Sequence, residues 1–132
     1  MKVRFALALT LSPLLAAAAD LRPGDQPVPP EEWRALTEGR TVTYTIDGRL
    51  WGREFFHPGG GRATFLGADG ACMTAPWEHA DGLYCFAYGG LHCFRHVRRD
   101  GEIVILPEGG GPAQAVERIE TAPISCDAPL SS

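Results

Sequence analysis

Beyond its first nineteen residues this 132-residue chain has no long apolar run, no lysine, and no cysteine before Cys72. The missing apolar run leaves no segment that could cross a bilayer as a helix. The missing early cysteine removes the site on which a processed chain would carry a lipid, so no stable membrane anchor is expected. With Lys2 and Arg4 set aside, the basic residues fall to ten, all arginine, against sixteen acids, a net of about −6. No basic block exceeds Arg98-Arg99, so a nucleic-acid surface is not expected.

Motifs for chemistry are equally sparse. There is no Cys-x-x-Cys and no Gly-x-Ser-x-Gly, and the serines sit at Ser12, Ser125, Ser131 and Ser132, near the ends of the chain. The triplets Gly59–Gly61 and Gly109–Gly111 lack a following Lys-Ser/Thr or a helix start, so they read as hairpin turns and not as phosphate cradles. Glu54, Glu78 and Glu117 could pair across strands as glycosidases require, but sixteen acids on a small domain make such proximity a matter of chance. No catalytic residue and no cofactor is assigned.

What is present begins with an export signal. Lys2 and Arg4 form a positive start, Phe5 to Leu15 an apolar middle, and Ala17, Ala18 and Ala19 a small-residue exit. Residues 1–19 therefore read as a signal peptide, with the mature chain starting at Asp20 and residing in the periplasm or outside the cell. Residues 20–30, rich in proline, read as an extended, poorly packed leader. Residues 31–126 form a single domain, and 127–132 a tail. At the head of that domain, Pro30 suits a first helical turn, Glu31 and Glu32 face the positive end of the helix dipole, and Gly39 can end the helix. Trp33 and Leu36 share a face, so the helix should cap the core.

From Arg40 the apolar period changes to two. Val42, Tyr44 and Ile46 alternate with threonines, and turn signals then recur at Asp47-Gly48, Gly59–Gly61, Asp69-Gly70, Asp81-Gly82, Gly89-Gly90, Asp100-Gly101 and Gly109–Gly111. Such spacing predicts a mainly β fold: an antiparallel up-and-down meander of about seven or eight short strands. The strands should form a curled sheet or a small barrel, with its interior filled by Phe, Tyr and Trp and no roomy cavity.

Four cysteines, Cys72, Cys85, Cys93 and Cys126, in an exported domain favour disulfides. A five-residue connection from Ala87 to Leu91 would set Cys85 and Cys93 directly opposite, leaving Cys72 to hold the C-terminal tail through Cys126. His92 and His96 would share one face of a strand with Cys93 on the other, and a metal would need further ligands such as His79 and Asp81 from a neighbouring turn. Tyr84, Phe86 and Tyr88 also share a face, which would be a binding surface if exposed.

The stretches Gly39-Arg40-Thr41, Trp51-Gly52-Arg53-Glu54-Phe55-Phe56, Asp69-Gly70-Ala71-Cys72, Trp77, Leu83-Tyr84-Cys85-Phe86-Ala87-Tyr88 and His92-Cys93-Phe94 resemble a group of small exported proteobacterial proteins without an established activity. The resemblance spans about Glu31 to Val97. It departs at Phe94, where a tryptophan is expected, and at Ala75-Pro76, which should interrupt the strand before Trp77. It implies fold and export and carries over no catalytic residue. The chain is expected to be a non-catalytic exported β-module that binds or shields an envelope protein or ligand. The alternatives are a small periplasmic enzyme inhibitor and a metal-binding protein or metalloenzyme using His92 and His96.

Overall fold

A computed structural model describes residues 21–127, so the signal-peptide reading of residues 1–19 and all but the first residue of the tail lie outside the described part. One helix, α1 (Pro30–Thr37), follows a two-residue strand, β1 (Gln26–Pro27). Eight strands come next: β2 (Thr41–Ile46), β3 (Arg49–Phe56), β4 (Arg62–Gly67), β5 (Cys72–Ala80), β6 (Leu83–Phe86), β7 (His92–Arg99), β8 (Glu102–Pro107) and β9 (Gln114–Glu120). Each pairs antiparallel with its sequence neighbours, and β9 returns to pair with β2, so the meander closes into an eight-stranded barrel. The anticipated turns fall between these strands. At Asp47-Gly48, Asp81-Gly82 and Asp100-Gly101 both residues have positive φ, 50–53° for the aspartates and 77–80° for the glycines. That is the two-residue hairpin geometry whose twist matches the flanking strands.

Pro76 does not interrupt its strand, contrary to expectation. β5 pairs with β4 up to Pro76 and with β6 from Trp77, so the missing N–H falls where the strand changes partners. The Pro76 carbonyl still accepts from the Ala87 amide at 3.1 Å.

The leader is extended, but it is also packed. β1 lies along the far half of β7, beyond the reach of the short β6. Val28 is buried, its amide donates to the His96 carbonyl (2.9 Å), and its carbonyl accepts from the Tyr84 hydroxyl (2.7 Å). A buried tyrosine hydroxyl needs a partner, and the leader supplies one. Arg99 holds Asp25 by paired hydrogen bonds, keeping that carboxyl down at about 2. The leader thus belongs to the folded domain.

Helix α1 brings Trp33 to the barrel interior, where it has no exposed surface and meets Phe56, Tyr84 and His96 edge-on. Gly39, at φ 71°, turns the chain into β2. The two disulfides are Cys85–Cys93, between directly opposed residues of β6 and β7, and Cys72–Cys126, which ties the C-terminal segment to the start of β5. The connection between β6 and β7 is the five residues 87–91. Two disulfides fit an oxidising compartment. Among the described residues no helix is long and apolar enough to cross a membrane.

Candidate functional site

Side-chain filling of the interior holds for only one part of the barrel. Around Trp33, the rings of Phe56, Trp77 and Tyr84 form a continuous aromatic core. Beyond it the strands line an open-mouthed cavity of about 370 Å³, bordered by Tyr44, Ile46, Glu54, Phe65, Phe86, Tyr88, Phe94, Ile105 and Gln114, with His96 also in its wall. Trp51, His92 and the glycines and proline of 110–112 border it too, and Trp51 is 48% exposed. This volume is near the lower end for small-molecule sites, and the walls are mostly apolar with a few polar groups, as such sites usually are. The strand period accounts for the lining: Gly52, Glu54 and Phe56 alternate with outward residues on β3, and Phe94 and His96 do the same on β7.

The most unusual group is Glu54, a carboxyl only 4% exposed. Its Oε1 accepts from the Tyr44 hydroxyl and its Oε2 from the Tyr88 hydroxyl, each at 2.7 Å. Burial pushes the carboxyl up to about 7, against the pull of the two tyrosines, whose hydrogen bonds favour the anion. Burial and the adjacent carboxylate in turn raise both tyrosines, so they remain protonated donors. No salt bridge to Glu54 forms among the described residues.

His96 is 3% exposed and stacks on Tyr84, with ring centroids 4.0 Å apart. Neither ring nitrogen has a hydrogen-bond partner. Burial drives the imidazole down to about 3, so it is neutral at any physiological pH.

His92 and His96 share a face of β7, but they are not brought together. His92 is exposed and bonded through Nε2 to the Tyr88 carbonyl (3.0 Å), whereas His96 lies against Trp33 and Tyr84. Four residues of strand separate their backbones by about 13 Å. His79 packs its ring on Tyr84 and not on His92, and no group of three or more His, Cys, Asp or Glu that could hold a metal occurs among the described residues. Of the three carboxylates considered, Glu54 is inside, Glu78 is exposed, and Glu117 lies beside Arg118, so they form no pair. Cys72, Cys85, Cys93 and Cys126 are all in disulfides. Tyr84, Phe86 and Tyr88 do share a face, and it is turned inward, where Phe86 and Tyr88 stack at the cavity wall.

Sequence reasoning counted Glu54 among three carboxylates whose proximity would be chance and gave it no role, and it did not place His96 at a cavity. The signal for Glu54 was its place two residues before Phe56 on a strand with one buried face. Comparison with protein-family models, with curated proteins and with solved structures found no match to the chain.

Proposed function

We propose that this protein is a non-catalytic exported module of the cell envelope that binds a small, mostly apolar ligand inside its barrel. The observation that carries the reading is the 370 Å³ cavity with aromatic walls and three buried polar residues, Glu54, His96 and Gln114. Binding is favoured over turnover because no Ser, Thr, Cys or Lys borders the cavity, and its one carboxylate, a group able to act as a nucleophile, has both oxygens engaged by tyrosine hydroxyls. Glu54 has the proton affinity of a general base, but each of its oxygens already accepts from a tyrosine, an arrangement suited to holding the anion in place. Export, to the periplasm or beyond, is supported by the signal-like residues 1–19 and by two disulfides.

The test is a fluorescence titration of the purified protein with N-phenyl-1-naphthylamine, a neutral apolar probe. One saturable site is expected, and Ile46→Trp, which places an indole at the cavity wall, should weaken it at least tenfold. Failure to saturate, or equal binding by the filled variant, would reject the reading.

A further inference from the structure

The cavity poses an electrostatic problem that an apolar ligand alone would not solve. A carboxylate 96% removed from solvent is expensive to keep ionised, and hydrogen bonds from two neutral hydroxyls lower that cost without cancelling the charge. The titratable groups bordering the cavity with Glu54 are Tyr44 from β2, Tyr88 after β6, and His92 and His96 from β7. None of them is an arginine or lysine. A glutamine would present a hydrogen-bond acceptor at the same place without any charge to compensate.

Around the carboxylate stands an aromatic enclosure. Tyr88, which donates to Oε2, has its ring 5.9 Å from Phe65 and stacks at 5.7 Å on Phe86, and Phe94 meets Phe86 edge-on at 5.9 Å. Ring faces attract cations, and do so more strongly where water is excluded. A buried anion and several aromatic rings about one small space form a receptor for positive charge. An anionic ligand would meet Glu54 as a like charge.

We propose that the ligand is a small organic cation, a protonated amine on a compact apolar body, whose ammonium group pairs with Glu54 among the rings of Phe65, Phe86 and Tyr88. The proposal rests on the reading that this cavity takes a ligand, and it names the ligand's class. The imidazole of His96 stands in the same wall. Being neutral, it adds no repulsion to the cation. An ammonium paired with Glu54 favours its ionised form, so below about pH 7 each binding event must displace a proton from the carboxyl. Affinity for the cation should therefore fall by up to tenfold per pH unit as pH drops from 7 towards 5, and level off above 7.

Calorimetric titration with 2-phenylethylamine, the near-isosteric neutral 2-phenylethanol and the anion 3-phenylpropionate tests this. The amine, protonated throughout, should bind at least tenfold more tightly than the alcohol at pH 8, with the gap closing towards pH 5, and the carboxylate should bind most weakly. Glu54→Gln should erase the preference for the amine over the alcohol. If that variant does not fold, the pH profile of the unaltered protein decides. An alcohol that equals the amine at pH 8, a preference that survives Glu54→Gln, or an amine that fails to bind while the neutral naphthylamine does would overturn the cation proposal and leave the cavity reading standing. Absence of binding by the naphthylamine and the amine alike would overturn both.

Discussion

Tyr88 reaches into the barrel to donate a 2.7 Å hydrogen bond to Glu54, joining the end of β6 to β3 across two intervening strands. The bond makes a buried carboxylate tolerable without making it free, and the remaining cost should be measurable as a dependence of stability on pH.

For Glu54 the folded protein holds its proton up to about pH 7, whereas the unfolded chain releases it near 4.5. The folded state binds more protons in that window, so this group's contribution to stability is fully present below pH 4.5 and is lost as pH rises through 7. Glu54→Gln removes the loss. Urea unfolding should show the variant more stable than the parent by roughly 3 kcal/mol at pH 8, with little difference at pH 4.5. Equal stability at pH 8 would mean that the carboxylate is better compensated than its surroundings suggest.

His96 works in the opposite direction. The unfolded imidazole takes a proton near pH 6.5, but the buried one resists until about 3, so stability is present above 6.5 and lost as pH falls through this window. His96→Phe keeps an aromatic ring against Tyr84 and Trp33 and removes both unpartnered nitrogens. At pH 4.5 the variant should exceed the parent by roughly 3 kcal/mol, and at pH 8 it should be at least as stable. In the parent the two groups offset one another between pH 4.5 and 6.5, giving a flat profile that either substitution tilts. A sloped parent profile, with stability falling steadily across that range, would show that one group dominates.

Much of this fold could be read in the chain because its information is local. Asp47-Gly48, Asp81-Gly82 and Asp100-Gly101 specify tight hairpins by themselves, and a five-residue connection fixes Cys85 opposite Cys93. Closure of the barrel depends on Thr41 meeting Glu120, and no local pattern announces a contact so distant in the chain. Packing of the leader depends on the Tyr84 hydroxyl needing the Val28 carbonyl, which becomes visible only once both are placed. The cavity is a difference between enclosed volume and side-chain volume, a quantity that residue types in sequence order do not give. Glu54 was within reach: strand alternation puts it on the side of Phe56, and a carboxylate on a buried face already calls for an explanation.

Trp33 tests whether the helix is structural. With no exposed surface and three ring partners, its replacement by alanine should cost roughly 3–5 kcal/mol in urea unfolding. A loss below about 1 kcal/mol would make α1 a peripheral attachment.

Gly52 makes room for the ring of Phe65, which borders the cavity. It occupies an inward position on β3 next to Glu54, and a Cβ there would lie 2.4 Å from Cζ of Phe65, 2.9 Å from its Cε2 and 3.0 Å from the Leu66 carbonyl oxygen. The Phe65 ring rests where a side chain would otherwise stand, so Gly52→Ala must push the ring away. Overpacking of this kind costs about 1–3 kcal/mol. Because Phe65 also borders the cavity, the same change should weaken binding of N-phenyl-1-naphthylamine several-fold. Phe65→Leu removes the ring atoms that clash, so in a double-mutant cycle the pair should be more stable than the sum of the single losses allows, by more than about 0.5 kcal/mol. Strict additivity would place the strain at the Leu66 backbone, and Gly52 would then govern the spacing of the strands and not the shape of the cavity.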